Sequence, residues 1–223
     1  MTESSLHAAI KSWVSQPGDS VETIVDGYII DLRRGDELIE IQTRSFSNLR
    51  PKLERLLHHY RVHLLHPIPV EKWITRVEDG RVIQRRKSPK HGRSEHMFKE
   101  LVYIPHLLFH PNFSLQILLT REEEFWMNDG NGSWRRKGWS IADRKLISVE
   151  GTRSFNNYYD YLGLLPGSLP IPFTTTDLAR QAKLPINLAQ KMTYTLRKSG
   201  VLIVDGKQNR SYHYAPNPIA PGF

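Results

Sequence analysis

Residues 29–43, IIDLRRGDELIEIQT, fix more of the fold than any other stretch of this chain. Arg34-Gly35-Asp36-Glu37 reads as a two-residue β-turn, and Gly at the first central position favours type II′, whose twist matches that of the flanking strands. With that turn, paired positions add to 71: Arg34 faces Glu37, Leu32 faces Ile39, Asp31 faces Glu40 and Ile30 faces Ile41. Side chains alternate across a strand, so Ile30, Leu32, Ile39 and Ile41 are predicted to line one face, and Asp31, Glu40 and Gln42 the other. Like charges directly opposite each other destabilise a sheet. A chain that keeps Asp31 against Glu40 therefore needs a cation between them, or uses the pair for something.

The surrounding pattern gives an α/β core. Leu6, Ile10, Trp13 and Val14 have helical spacing and are followed by Pro17-Gly18. Val21–Val25 reads as a strand before the hairpin. RSFSNLRPKLERLLHHY then carries a helical stripe of Leu49, Leu53, Leu56, Leu57 and Tyr60, with Ser47 as expected N-cap and Pro51 in the first turn. RVHLLHPIPV reads as a short apolar strand ended by its two prolines. WITRVEDGRVIQRR has the form of a second hairpin around Asp79-Gly80. Ser94–Phe109 is expected to be helix, kinked or ended by Pro105. FSLQILLTREEEFW starts like a strand, its REEE portion (121–124) reading as a solvated charge run, and MNDGNGSWRRKGW holds a turn cluster. Pro166, Pro170 and Pro172 mark residues 151–172 as a linker between a domain at 1–150 and a second one at 173–223.

Composition sets limits. The 223 residues are 39% hydrophobic and 24% charged, as in an ordinary globular protein with a core, and contain no cysteine. Disulfides and thiolate zinc sites are excluded, which fits a cytoplasmic chain, and no apolar run of membrane-spanning length or signal-peptide pattern is visible. The net charge of +8 favours an anionic partner such as nucleic acid. No phosphate-binding loop, dinucleotide fingerprint or nucleophile elbow occurs. His58, His59, His63 and His66 do not have zinc-ligand spacing.

Asp31 on one strand, Glu40-Ile41-Gln42 on the next and the flanking helices resemble the PD-(D/E)xK phosphodiesterase superfamily, which includes restriction endonucleases and Holliday-junction resolvases. The resemblance covers the first third of the chain. It implies a restriction endonuclease-like mixed sheet flanked by helices. It also implies metal-dependent hydrolysis of phosphodiesters, in DNA repair or defence against foreign DNA, with Mg2+ or Mn2+ held by Asp31, Glu40 and the Ile41 carbonyl. A hard divalent ion needs only one or two carboxylates plus waters. Gln42 departs from the pattern, since lysine normally stands there; glutamine orients a water but brings no charge, although some active members carry E-x-Q. Arg33 or Arg44 are candidates to compensate. Asp26 is the rival first acid, with the wrong strand parity unless a bulge intervenes. Glu3 occupies the place of an accessory carboxylate. The plainer alternative makes Asp31 and Glu40 solvated strand residues paired with Arg33 and Arg44.

Residues 173–215 resemble a winged helix-turn-helix: a helix DLARQA capped by Thr175 or Thr176, a turn at Leu184-Pro185, a second helix INLAQKMTYTLRKSG ended by Gly200, and a two-stranded wing around Gly206–Asn209. Leu188, Met192, Thr195 and Leu196 share one side of the second helix. The resemblance makes Asn187, Gln190, Lys191, Tyr194 and Lys198 candidate DNA contacts, with Lys207, Gln208, Asn209 and Arg210 at the wing tip. Residues 180–210 hold seven Lys/Arg against one acid, Asp205, a balance of +6 suited to phosphate. Winged helices also dock on proteins, which keeps protein partners within a larger complex in view. Arg85, Arg86 and Lys87 lie in an acid-free basic run (81–93) that reads either as a nucleic-acid clamp or as a disordered loop. Trp134 and Trp139 in SWRRKGW suit base stacking or core packing. The two-part build also resembles a family of prokaryotic proteins with no assigned function. The rival class is a nuclease scaffold without activity that binds DNA as an adaptor subunit.

Overall fold

The computed structural model describes residues 4–219, apart from the side chain of residue 135. Helix α1 (Ser5–Val14) begins at Ser4, whose hydroxyl accepts the His7 N–H at 3.3 Å. Strands β1 (Ser20–Val25), β2 (Tyr28–Arg34) and β3 (Glu37–Ile41) form an antiparallel meander. Helix α2 (Arg50–Leu56) carries the chain across one face of the sheet, and β4 (Arg61–Glu78) returns parallel to β3. Strand β6 (Phe113–Met127) adds parallel to β4, and β7 (Ser140–Phe155) closes the sheet antiparallel to β6. Strand β5 (Arg81–Lys87) folds back on the far half of β4, giving seven strands in one mixed sheet. Residues 71–150 therefore extend the sheet begun by the hairpin.

Both faces of the central strands are buried, as parallel strands require. On the α2 side Leu38, Leu53, Leu56, Leu64 and Ile117 pack together; on the α1 side Leu6, Ile10, Ile39, Leu65 and Leu118 do. Adjacent residues of β3, β4 and β6 thus feed opposite cores. This is why RVHLLHPI reads as a continuous apolar run.

Several expectations change. Helix α2 starts three residues beyond Ser47, with Leu49 at its N-cap. The apolar strand does not end at its prolines: Pro67 and Pro69 lie inside the 18-residue β4. Alternate residues of β4 face alternate neighbours, and Leu65 O accepts the Gln42 N–H at 2.9 Å on the β3 side. Pro67 and Pro69 share that parity, but β3 has already ended there. Their missing N–H groups therefore cost no ladder bond. The expected helix at 94–109 is broken into a 3₁₀ turn (Ser94–Met97), a single helical turn α3 (Phe98–Leu101) and a second 3₁₀ turn that Pro105 opens. Residues 151–172 are no spacer: β7 runs on to Phe155, and α4 (Tyr158–Leu162) contributes buried Tyr158 and Tyr161.

Helices α5 (Thr175–Gln181) and α6 (Ile186–Lys198) and strands β8 (Leu202–Gln208) and β9 (Ser211–Pro216) follow in the expected order. Thr174 caps α5, ahead of the expected Thr175 or Thr176, and exchanges hydrogen bonds with Asp177 in a capping box. The β8–β9 turn falls at Asn209 and Arg210, both at positive φ. Leu188, Met192 and Leu196 of α6 join the same core as Leu38 and Leu64 of the sheet. Among the described residues no helix is long and apolar enough to cross a membrane.

Candidate active site and nucleic-acid interface

The hairpin register holds from Arg34↔Glu37 to Leu32↔Ile39, with Gly35 at φ +57 and Asp36 at negative φ, the geometry of a type II′ turn. It then breaks. Asp31 does not pair with Glu40 through the backbone; its side chain enters the ladder, and Oδ2 accepts the Ile41 N–H at 2.7 Å. The β1–β2 ladder is interrupted at the same level, where Glu22 lies at φ +51 between Val21↔Leu32 and Thr23↔Ile30. The strands splay there, so the expected four-residue apolar face divides. Leu32, Ile39 and Ile41 stay in the α1-side core, and Ile30 turns to the α2 side.

The splay brings the two carboxyl groups together with a hydrogen-bond donor from each flanking helix. His7 of α1 donates from Nε2 to Asp31 Oδ1 at 2.9 Å. Lys52 of α2 lies 2.5 Å from Glu40 Oε1 and also donates to the Ile29 carbonyl at 2.5 Å. Glu40 is only 5% exposed. Burial pushes its pKa up to about 7; Lys52 opposes the rise and the Asp31 charge adds to it. At Asp31 burial also favours the neutral acid, but the hydrogen bonds from His7 and Ile41 outweigh it and hold the carboxyl below its ordinary value. Two neighbouring carboxyls with separated proton affinities are what acid–base chemistry at neutral pH uses.

The other expected participants lie elsewhere. The Gln42 amide donates to the Ser45 carbonyl at 3.1 Å, and the Gln42 carbonyl accepts from His66 Nδ1 at 2.6 Å. Gln42 is therefore turned away from a water between the carboxylates. Arg33 bends to the Gly35 carbonyl at 3.0 Å, and Arg44 is exposed, so neither pairs with Asp31 or Glu40. Asp26 sits at φ +51 in the β1–β2 turn, 3.9 Å from Arg55, outside the cluster. Glu3 lies outside the described residues. Among those described, no group of three or more His, Asp or Glu is arranged to hold a metal. Asp31 and Glu40 are two carboxylates, and the Ile41 carbonyl is the further oxygen that the resemblance supplies. Lys52 and His7 were missed in the sequence because they come from other elements. Lys52 had a signal, since it sits beside the buried Leu49–Leu53–Leu56 stripe.

The REEE segment is not a solvated run. Glu122 and Glu124 are each 3% exposed on the α1 face of β6. Lys72 bonds Glu124 at 2.9 Å, and Arg144 reaches it at 3.4 Å. The basic run 81–87 is an exposed edge strand rather than a loop. Arg85 pairs with Glu123 at 2.9 Å and lies 4.2 Å over the Trp73 ring, and Lys87 pairs with Glu71 at 2.5 Å. Arg86 makes no ion pair among the described residues. Neither tryptophan of SWRRKGW is core: Trp134 is 82% exposed, and the Trp139 ring carries the Arg76 guanidinium at 4.9 Å.

On α6, Asn187, Gln190, Tyr194 and Lys198 share one exposed face. Lys191 is half-buried, its ammonium donating to the Lys99 carbonyl at 3.1 Å. Lys207 lies 5.4 Å over the Tyr212 ring, and Gln208, Asn209 and Arg210 are exposed at the hairpin tip.

A mixed α/β protein with a seven-stranded sheet and, on its hairpin, a carboxyl pair contacted by His7 and Lys52 is the class these features define. The chain belongs to the family described as Domain of unknown function (DUF8091), whose model matches residues 4–156, from α1 through the end of β7. It is also 31% identical over 218 residues to an uncharacterized protein of Treponema pallidum (strain Nichols), a match covering 97% of this chain and 86% of that protein. That likeness extends over the C-terminal helices as well as the sheet. No solved structure matches.

Proposed function

We propose that the protein is a metal-dependent nuclease of the PD-(D/E)xK kind, in which Asp31, Glu40 and Lys52 act on a phosphodiester and a C-terminal winged helix engages DNA. The observation that carries this reading is the convergence of those three side chains from β2, β3 and α2. Lys52 brings to Glu40 the ammonium that Gln42 lacks. The donor set fits magnesium or manganese in its chemistry: an ionised carboxylate, a second, buried carboxyl whose Oε1 now faces the Lys52 ammonium, and a neighbouring carbonyl. Bound by Asp31, Glu40 and the Ile41 carbonyl, such an ion would activate water and offset charge developing on the phosphate. His7 orients Asp31 and keeps it ionised. Lys52, set against Glu40 and the Ile29 carbonyl, keeps one of its three protons to offer to a phosphate oxygen.

The exposed α6 face (Asn187, Gln190, Tyr194, Lys198) and the tip residues Lys207 and Arg210 favour DNA as partner, as does the +6 balance of residues 180–210. A second reading has its own observation. Gln42 faces Ser45 and both Asp31 oxygens already accept hydrogen bonds, which suits a scaffold that holds DNA for a partner without cutting it.

Incubating linear, single-stranded and branched DNA with the protein and Mg2+ or Mn2+, beside Glu40→Ala and Lys52→Met, separates the two. Cleavage by the parent alone is expected. Salt-sensitive binding with no cleavage in either metal would leave only the scaffold reading.

A further inference from the structure

On the α1 side of the sheet, where the chain leaves β3, lies a cleft that the chemistry above does not use. Its outer part, about 470 Å³, is bounded by Ser4, Arg44, Asp143 and Arg144. Thr43 and Arg144 also line an inner chamber of about 120 Å³ roofed by Leu6 of α1. The outer part alone falls in the range of about 300–1,000 Å³ typical of small-molecule sites.

The two parts differ in chemistry. The mouth is cationic. Arg44 is exposed and makes no ion pair among the described residues, and Arg144 lies 3.4 Å from Glu124. The one acid at the mouth, Asp143, is occupied: its oxygens accept the Ser5 N–H at 3.3 Å and the Ser5 hydroxyl at 2.6 Å. The chamber has apolar walls in Leu6, Pro67 and Pro69, a mutually paired cluster of Lys72, Glu124 and Arg144, and the carboxyl of Glu122, 3% exposed. One Glu122 oxygen accepts from the Thr120 hydroxyl at 2.7 Å. The other has no donor among the described residues. Lys72 is committed to Glu124 at 2.9 Å and does not serve it.

We infer that this cleft binds a nucleotide, with the phosphate between Arg44 and Arg144 and the base in the chamber, where the free Glu122 oxygen accepts from an exocyclic amino group. An anion-binding end joined to a partly apolar end with one unpaired hydrogen-bond acceptor has the polarity of a nucleotide. Inorganic phosphate leaves the chamber empty. An acidic lipid or aliphatic acid would cover that oxygen without donating to it, which carries the desolvation penalty of an unpaired acceptor. Adenine and cytosine present an amino group where thymine presents a carbonyl, so the chamber favours the first two. Thr43 and Arg44 follow Glu40 by three and four residues. A strand with a phosphate at the carboxyl pair would run on into the cleft; that last step rests on the nuclease reading, whereas nucleotide binding does not.

The test is calorimetric titration of the whole protein, without metal, with dAMP, dCMP, dTMP, deoxyadenosine and inorganic phosphate. Saturable binding of dAMP or dCMP is expected, with dTMP, deoxyadenosine and phosphate each roughly tenfold weaker or worse. Arg44→Ala should weaken dAMP at least as much while leaving deoxyadenosine unchanged, and Glu122→Leu should erase the preference for dAMP over dTMP. Phosphate binding as tightly as dAMP, an indifferent Arg44→Ala, or no saturation would each overturn the inference. If Glu122→Leu does not fold, the dAMP/dTMP ratio and Arg44→Ala decide it. Cleavage without nucleotide binding rejects the cleft alone; nucleotide binding without cleavage rejects the nuclease alone.

Discussion

Glu40 links stability to pH with a definite sign. Its carboxyl titrates at about 7 in the folded chain against an ordinary 4.5. A raised carboxyl pKa means that the folded state holds the proton more tightly than the unfolded chain does. Its contribution is fully present below about pH 4.5 and is lost as pH rises through 7, a change of about 3 kcal/mol. Glu40→Gln mimics the protonated form and removes this dependence. Urea midpoints of the two proteins between pH 5 and 8.5, where Asp31 is ionised throughout, are therefore expected to diverge with pH, the variant gaining. Parallel curves would mean that Glu40 is ionised across the range. Lys52 gives the complementary prediction. Lys52→Met leaves Glu40 and Asp31 facing each other without the ammonium and should destabilise the chain at pH 8 by about 3 kcal/mol. In the Glu40→Gln background the same change should cost about half as much or less, because the buried charge is already gone. Equal costs in both backgrounds would show that the pair is uncoupled.

At the scale of elements, the sequence revealed what local rules govern. The type II′ turn, its register and the helical stripes of α2 and α6 follow from period and turn chemistry. What it concealed depends on neighbours. The length of β4 was hidden because prolines stop a strand only where a partner needs their N–H groups, and β3 ends before Pro67. Glu122 and Glu124 looked solvated because their counter-ions, Lys72 and Arg144, come from β4 and β7. The carboxyl pair was legible, but its partners were not, since His7 and Lys52 lie on two helices that only the fold brings to it. The segment after β5 offers a direct check of how β4 is held past its prolines. Gly92 donates to the Pro69 carbonyl at 2.8 Å, and a Cβ there would sit 2.3 Å from that oxygen and 2.7 Å from Ile68 Cγ2. Gly92→Ala is expected to destabilise by about 1–3 kcal/mol through overpacking. Gly151→Ala, where an added Cβ meets nothing within 4 Å, should stay within about 0.5 kcal/mol of the parent. Denaturant melts of the two variants compare them directly, and equal effects would mean that the 88–93 segment does not brace β4.

For the whole molecule, the question is whether the C-terminal helices are a tethered module or part of the body. The buried side of α6 answers it. Leu188, Met192 and Leu196 lie in one continuous core with Leu38, Leu64 and Ile117 of the sheet. Polar contacts tie the same surfaces: Arg93 donates to the Ala182 carbonyl at 2.8 Å, Lys191 to the Lys99 carbonyl at 3.1 Å, and the Tyr158 hydroxyl to the Asn217 carbonyl at 2.8 Å. A shared core makes for shared unfolding, since neither half keeps its apolar surface covered once the other opens. Calorimetry should show a single transition whose van't Hoff and calorimetric enthalpies agree. Met192→Ala, which empties a fully buried site on α6, should shift that one transition by about 2–5 kcal/mol rather than create a second. The docking also fixes which surface is left to meet DNA. Lys198 and Arg210 remain exposed while Lys191 is held against the body. If the module engages a phosphate backbone as proposed, Lys198→Ala and Arg210→Ala should each lower the slope of log K against log salt by about one, whereas Lys191→Ala should leave it unchanged. A Lys191→Ala slope as reduced as the other two would require α6 to leave the body on binding, and the calorimetric transition would then be expected to split.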